Sequence, residues 1–512
     1  MTLTDTLRHA AAYPHPVSDI QVIETHISWL FLTGDYAYKV KKPVDFGFLD
    51  FTTLEKRKLF CEEELRLNQR LAPDIYDAVV PIYGPETSPQ FGEAIDPEDD
   101  RPVLEYAVRM RQFNPEQRLD LLLQAKRFEA DWIDTLAEQI ADFHNRIPRV
   151  AADSPWGETE TIWDVVSDNF LHTGDKLSNM DDLLKLQHLS NLTAQTFRNL
   201  TETLRKRKAD GFVRECHGDL HLANITLYQD ELRLFDCIEF NLQFRWIDTI
   251  SDLAFLLMDL EANKQFRWAN RCLNRYLELG GDYDGVQLLN FYKAYRAMVR
   301  AKVSVIGEQK DYDTLRRYLS LTEHYARTPE PVLYLMYGVS GTGKSHFSQQ
   351  LLDAIGAIRV RSDVERKRLF RERSMKGEQV DLYGAEMNAY TFNRVQDITN
   401  SLLQAGYSVI VDATHIRART RHAYYALSQR LQVPIRIVSC QCEQKLVEAR
   451  LKRRVAEGSD ASDADISVMH QQLNHLQPLT DDELDYTIVV DTDDDDSINH
   501  VLDRLRVEEI IG

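Results

Sequence analysis

The sequence predicts a multidomain chain, an α+β domain followed by an α/β domain whose mainly parallel sheet is covered by helices. Three observations predict it. The 512 residues exceed the ~250–300 at which a single hydrophobic core stops growing. Pro329 and Pro331 interrupt a helical pattern just before the apolar strand 332–337, which places the boundary between residues 1–328 and 329–512. Beyond that point apolar strands and helical segments alternate, the rhythm of βαβ units, whereas before it strand signals give way to long helices.

Taken in order, residues 24–41 read as a hairpin: ETHISWLFL, a turn at Gly34 and Asp35, then YAYKVKK. The stretch 54–72 places Leu54, Leu59, Leu65 and Leu67 among charges, as an amphipathic helix does. DAVVPIY and VLEYAVRM form the next strand pair, and helical patterns dominate from Asn114 onward. One compact strand-loop-strand patch, 211–240, interrupts them, and WIDTISDLAFLLMDL and FYKAYRAMVRAKVSVI return to helical spacing. After the boundary come VLYLMY, a helix from Lys344, AIRVRS, a helical region to about Gln404, YSVIVDA, another helix, PIRIVSC and a charged helix from Glu443.

Composition narrows the class. A 43% hydrophobic, 28% charged chain is that of a folded protein. The net charge of −20 disfavours a general nucleic-acid surface, which needs clustered Lys and Arg, and leaves room only for a local basic groove. The six cysteines lack paired metal-ligand spacing and read as reduced, buried thiols; strand alternation aims Cys440 and Cys442 at one face. With no secretion-type leader and no long apolar run, a cytoplasmic location without membrane spans is expected.

The motif GVSGTGKS at 338–345 has the P-loop spacing and lies between an apolar strand and a helix, the context that the motif requires. Gly338, Ser340, Gly341, Thr342 and Gly343 form the loop whose backbone N–H groups turn toward phosphates. Lys344 reaches the β/γ-phosphates and Ser345 offers a magnesium ligand. Asp412 ends the strand VIVDA beside the nucleotide, where it would hold magnesium through water. Asp363 follows another strand end, placed to accept a proton from a substrate hydroxyl or to N-cap the next helix. Arg450, Arg453 and Arg454 share one charged helix, either a lid that neutralises the transferring phosphoryl group or a solvated basic face.

The order GVSGTGKS, SDVERKRL, VIVDAT, arginine-rich helix and SDASDAD resembles the P-loop kinases related to polynucleotide kinase and zeta toxin. That resemblance, over about 331–490, implies phosphoryl transfer to a hydroxyl, with Asp363 as the substrate-facing aspartate and Arg366 as a helper. It leaves open the acceptor: polynucleotide ends, nucleotide sugars or small metabolites.

Upstream, CHGDLHLANITL carries Asp219 and, five residues on, Asn224; Asp236 ends the strand ELRLFD twelve residues later. One loop that presents a carboxylate to an acceptor hydroxyl and a metal ligand to ATP, followed by a second metal-binding carboxylate, has this spacing. The set resembles the aminoglycoside phosphotransferase and choline kinase superfamily, relatives of protein kinases with HGD in place of HRD, over most of 24–306. The resemblance implies a two-lobed, protein-kinase-like fold, Asp219 as catalytic base, and Asn224 and Asp236 as magnesium ligands. It makes Lys39, in Tyr36-Ala37-Tyr38-Lys39, the lysine that pairs with ATP phosphates, with Lys41 on the same strand face as alternative. Its glutamate partner is Glu64, over Glu62 and Glu63, and the strand backbone from Tyr106 to Met110 is where adenine would bind. The turn before Lys39 carries a single glycine, Gly34, in place of a G-x-G-x-x-G loop, and Asp248 and Asp252 are candidates for organising the catalytic loop.

The expectation is thus a bifunctional kinase using ATP and Mg2+ on small-molecule hydroxyl acceptors, one site per domain. The alternatives are one catalytic domain regulated by a nucleotide-sensing partner domain, or a C-terminal 5′-hydroxyl polynucleotide kinase.

Overall fold

The computed structural model describes residues 2–47, 49–94, 100–306, 309–327, 330–457, 464–494 and 496–507, with backbone alone at 454–457 and 507. By internal contacts the chain forms two units: residues 1–259 with 295–319, and residues 260–294 with 320–512. The boundary expected at 328/329 falls on residues outside those described, and 260–294, which precede it in sequence, pack with the second unit. Among the described residues no helix is long and apolar enough to cross a membrane.

The first unit opens with the short α1 (Leu3–Thr6) and a six-stranded antiparallel sheet. Its strands are β1 (Gln21–Glu24), β2 (Ser28–Leu32), β3 (Tyr36–Lys41), β4 (Tyr76–Tyr83), β5 (Gln90–Phe91) and β6 (Val103–Arg111), in spatial order β1-β2-β3-β6-β4-β5. α2 (Leu54–Asn68) packs on β6 and β4. It does not bury the leucine stripe that its periodicity suggests: Leu59 is exposed, while Arg57, Cys61, Glu64, Leu67 and Asn68 are buried. The reason is local chemistry. Arg57 donates to Glu105 at 2.7 Å and to the Phe51 carbonyl at 2.9 Å, and Asn68 accepts the Cys237 N–H at 2.9 Å, so each buried polar group is matched.

A helical lobe follows, made of α3 (Leu119–Gln124), α4 (Asp131–Arg146), α5 (Thr159–Gly174) and α6 (Met180–Ala209). Next come β7 (Val213–Glu215), the hairpin β8 (Ile225–Tyr228) and β9 (Glu231–Leu234), α7 (Leu242–Arg245), β10 (Trp246–Asp248) and α8 (Thr249–Ala262). The helix expected from Trp246 starts three residues late, because Trp246–Asp248 pairs with β7 and Asp248 then caps α8 through the Ile250 N–H at 2.8 Å. α9 (Phe266–Gly280), α10 (Leu289–Ile306) and α11 (Tyr312–Tyr325) complete this part of the chain.

The second unit is a five-stranded, wholly parallel sheet in the order β12-β13-β11-β14-β15. Its elements run β11 (Leu333–Tyr337), α12 (Lys344–Ile355), β12 (Ile358–Arg361), α13 (Ser362–Met375), α14 (Ala385–Gln404), β13 (Val409–Asp412), α15 (Ala418–Leu431) and β14 (Ile435–Gln441). They continue through α16 (Gln444–Glu457), α17 (Ile466–His475), α18 (Asp481–Leu484), β15 (Thr487–Asp491) and α19 (Ser497–Val507). Tyr334, Met336, Ile410, Val438 and Val490 form one core with Phe347 and Leu351 of α12 and Leu502 and Leu505 of α19. Strands buried on both faces read as continuous apolar runs, which is why they were legible. Their carboxyl ends carry the P-loop, Asp412 and the start of α13 toward one crevice, the usual ligand side of such a sheet.

Candidate active sites

In the first unit Lys39 and Lys41 point to one face of β3, and both reach Glu64. Lys39 Nζ lies 2.7 Å from Glu64 Oε1 and Lys41 Nζ 2.7 Å from Oε2. Lys39 also bonds Asp236 Oδ1 at 2.7 Å, and Lys41 bonds Glu239. Glu62 is exposed beside Lys58, and Glu63 pairs with Arg66 and Arg245, so neither faces the lysines. Burial opposes ionisation of Glu64, yet the two ammonium groups outweigh it and hold its carboxyl below the ordinary range. Lys41 is enclosed at 1% exposure, whereas Lys39 keeps access and is the lysine that touches Asp236. Glu239 was not anticipated; its spacing three residues after Asp236 was the available signal.

The loop bearing Asp219 is held from behind. Asp252, fully buried, accepts the N–H groups of His217 at 3.1 Å and Gly218 at 2.8 Å and meets His144 Nε2 at 3.1 Å. Burial disfavours its charge, but His144, His217 and Arg296 draw its pKa down to about 2. Gly218 sits at φ +88° with a would-be Cβ 2.7 Å from the Phe244 carbonyl, a position only glycine fills without strain. Asp248 does something else: it binds Arg207 at 2.7 and 2.8 Å.

Asp219 accepts the Asn224 side-chain N–H at 3.0 Å and lies 3.3 Å from His221 Nε2. Burial again opposes, and His221 with His217 and Arg296 keeps the carboxyl well below its usual value. The Phe235 N–H donates to the Asn224 carbonyl at 2.9 Å, tying the loop to Asp236, whose left-handed φ of 63° is costly for a residue with a Cβ. Met110 lies opposite Ala37 in the sheet, in an apolar cluster with Val108, Tyr228 and Phe235. At the β2–β3 turn the Gly34 N–H is taken by Gln112 Oε1 at 2.9 Å.

In the second unit a cleft of about 1620 Å³ gathers Ser340, Gly341, Gly343, Lys344, Ser345, Asp363, Asp412 and Arg450 along its wall. Gly338 and Thr342 sit behind the loop, Gly338 N–H bonding Thr414 O at 3.2 Å and Thr342 Oγ1 donating to Val339 O at 2.9 Å. Gly341, at φ +88°, lets α16 approach: a Cβ there would lie 2.9 Å from Leu451 Cγ. Lys344 Nζ donates to the Val339 carbonyl at 2.7 Å. Gln472 of α17 accepts the Ser340 N–H at 2.7 Å and donates to Ser340 Oγ at 3.1 Å, a contact the sequence did not signal.

Asp412 faces Ser348 Oγ at 3.4 Å and Arg361 Nε at 3.7 Å. Asp363 lies in the first turn of α13; the N-cap position is Arg361, without a side-chain cap bond, so capping is not the role of Asp363. Arg450 is bound to Thr492 at 3.1 and 3.0 Å and to Asp493 at 3.2 Å. Arg453 lines the cleft, and the Arg454 side chain lies outside the described residues. Five cysteines are buried, Cys440 with its thiol pushed up to about 12 by burial. Cys442 falls past the end of β14, half-buried, its Sγ 3.2 Å from Asp493 Oδ1 and 3.3 Å from an Arg450 nitrogen.

These two folds and their charge constellations define an ATP-dependent phosphotransferase, with a protein-kinase-like region followed by a P-loop domain. The AAA domain family profile matches residues 333–479. Over 464 residues the chain is 30% identical to the uncharacterized protein Rv2004c of Mycobacterium tuberculosis, and equally to its uncharacterized counterpart Mb2027c in Mycobacterium bovis, covering 88% of this chain and 89% of each relative. The chain belongs to the family of these mycobacterial proteins. Solved structures with a partial likeness include a choline/ethanolamine kinase family protein from Mesorhizobium loti (TM-score 0.38, 11% identity, 64% of this chain and 96% of that one). A gluconokinase from Sinorhizobium meliloti is another (TM-score 0.25, 14% identity, 36% and 98%).

Proposed function

We propose that the protein is a bifunctional kinase, each unit transferring the γ-phosphoryl of ATP to the hydroxyl of a small molecule. The observation that carries this is the convergence, within each unit, of a phosphate-seeking lysine with carboxylates of two different kinds. In the first unit Lys39 meets Glu64 and Asp236 while Asp219 stands on Asn224. In the second one cleft holds Lys344, Ser345, Asp363 and Asp412.

Asn224 with Asp236, and Ser345 with Asp412, offer the hard oxygen donors that suit Mg2+, and Asp236 is half-exposed toward its site. Held there, the ion would supply neutralisation of the charge that develops on the leaving group. In the first unit Asp219 is ionised at neutral pH despite its burial, because His221, His217 and Arg296 offset the cost of burying its charge. It is then ready to take the acceptor's hydroxyl proton as the new O–P bond forms and the bond to the β-phosphate breaks, releasing ADP. Lys39, anchored by Glu64, faces the phosphates. Asp363 has the corresponding proton-accepting place in the second cleft, and Lys344 and the loop N–H groups the phosphate-binding one. Arg450, bound to Thr492 and Asp493, and Arg453 both line the cleft and are the candidates on that helix for neutralising the transferring group.

A second reading, a polynucleotide 5′-hydroxyl as acceptor of the second unit, is favoured by the basic wall of Arg366, Lys367 and Arg371 beside exposed Tyr383. Binding of a short oligonucleotide that weakens steeply with salt would support it. The main test is ATP turnover with magnesium and an acceptor panel in wild type, Asp219→Ala, Lys344→Ala and the double variant. Each single variant is expected to lose a distinct acceptor-dependent activity. Loss of all turnover in Lys344→Ala with none in Asp219→Ala would instead make the first unit a nucleotide sensor.

A further inference from the structure

Residues 260–294 belong to the second unit, and α9 supplies one wall of the P-loop cleft through Arg275, Glu278 and Leu279. Nothing in its sequence pattern marks it as part of a nucleotide site. It docks by polar bonds to β12, the edge strand of the parallel sheet. Asn274 Nδ2 donates to the Ala357 carbonyl at 3.0 Å, and Asn274 Oδ1 accepts the Arg359 N–H at 2.7 Å, so a side chain occupies the strand edge where another strand would pair.

One turn further along α9, buried Glu278 faces two arginines that strand alternation puts on one side of β12. Arg359 donates through Nε and Nη2 to Glu278 Oε1 at 3.0 and 2.7 Å. Its remaining N–H groups reach the first turns of the P-loop helix: the Ser345 carbonyl at 3.1 Å, Ser348 Oγ at 3.2 Å and Gln349 Oε1 at 2.9 Å. Arg361 Nη1 lies 3.8 Å from Glu278 Oε2, and its Nε lies 3.7 Å from Asp412 Oδ2.

We infer that Glu278 is a positioning residue for the P-loop site, acting through Arg359 to fix the helix turn that carries Ser345 and through Arg361 to leave Asp412 available as a ligand. This rests on reading the cleft as a phosphoryl-transfer site. A guanidinium stays charged at any working pH, so removing the glutamate's charge leaves one buried and one partly buried cation beside the cleft. The carboxylate that Arg361 already faces is Asp412. At these distances and in a partly desolvated site, attraction would close the gap and occupy the oxygens that a hydrated cation needs.

The test uses the full chain and binding of a fluorescent ADP analogue, titrated across magnesium concentrations and in EDTA, with Lys344→Ala as the blank for the P-loop site. Glu278→Gln is expected to raise the magnesium needed for half-maximal binding about tenfold, as loss of a partner supporting a metal ligand typically does, while the affinity in EDTA stays near wild type. Glu278→Asp falls between, and adding Arg361→Gln to Glu278→Gln returns the requirement toward wild type. An unchanged magnesium dependence in Glu278→Gln overturns the inference. So does an equal loss of binding with magnesium and in EDTA that tracks a lowered melting temperature, since that is the signature of a merely structural role. Should Glu278→Gln not fold, Glu278→Asp decides: a raised magnesium requirement that added Arg361→Gln reverses supports the inference, and an unchanged one sinks it. If Lys344→Ala binds as wild type does, the reading of the cleft as a nucleotide site fails instead.

Discussion

The two candidate sites hold their phosphate-seeking lysines in opposite ways. Lys39 stands between two carboxylates, Glu64 and Asp236, with a second lysine and a third carboxylate behind it, so charge cancels inside the protein. Lys344 rests on a neutral carbonyl of its own loop, in a cleft whose other wall carries Arg366, Lys367, Arg371 and Arg417. On the proposed reading, nucleotide at the first unit would have to draw a lysine away from Asp236, a competition that a cation taking Asp236 would relieve. In the second it must displace a hydrogen bond and the Gln472 side chain, and it meets a field already favourable to anions. Pre-paired charge favours geometric order at rest; a wall rich in arginine and lysine favours capture of anions.

Asp219→Asn breaks the comparison most severely: turnover at the first site should fall by roughly 10²–10⁴, the usual worth of a positioned base, with the second-site activity retained in the same assay. Lys41→Met tests whether the second lysine serves structure. Leaving Glu64 and Glu239 buried without it should cost roughly 3–5 kcal/mol, read as a drop in the first unit's unfolding midpoint, whereas Lys39→Met should chiefly raise KM for ATP. The loop clamp predicts an acid-sensitive contribution. Because Asp252 titrates at about 2 in the fold against an ordinary 3.8, the unfolded chain binds more protons between those values. Its stabilisation is therefore present above about pH 4 and lost as pH falls through about 2. That amounts to about 2 kcal/mol, seen as the difference between wild type and Asp252→Asn in urea unfolding across that range. Smallest is Gln472→Ala, which frees the Ser340 N–H. Nucleotide affinity at the P-loop should rise about fivefold, the worth of one hydrogen bond, in direct titration; a fall would make Gln472 a ligand-binding group.

Much of this was legible where chemistry demands contiguous residues. GVSGTGKS must be one loop, and His217, Asp219, Asn224 and Asp236 lie on one loop and just past the β8–β9 hairpin that follows it, so spacing alone exposed them. Strands β11 and β13 were visible because burial on both faces makes them almost continuously apolar, and β12 and β14 from their β-branched residues, whereas β15, TIVVD among aspartates, escaped notice because two of its five residues are exposed. α2 misled, since its buried face serves the site and is therefore charged, the reverse of what periodicity rewards. Glu239, Gln472 and Glu278 act through partners far away in sequence, and no local pattern announces such a partner. Arg450 was read from helix spacing toward Arg453, but its guanidinium turns instead to Thr492 and Asp493, which only the three-dimensional fold brings near.

The half-buried Cys442 lends itself to chemical use. Its thiol alone among the six is not fully buried, and it sits beside Arg450 at the rim of the P-loop cleft with its pKa raised by burial and by Asp493. A mildly alkaline medium would make it the preferred target of a maleimide dye. The natural chain thus carries a single-site optical label at the mouth of one active site, installed without any engineered cysteine and remote in sequence from the residues of the other.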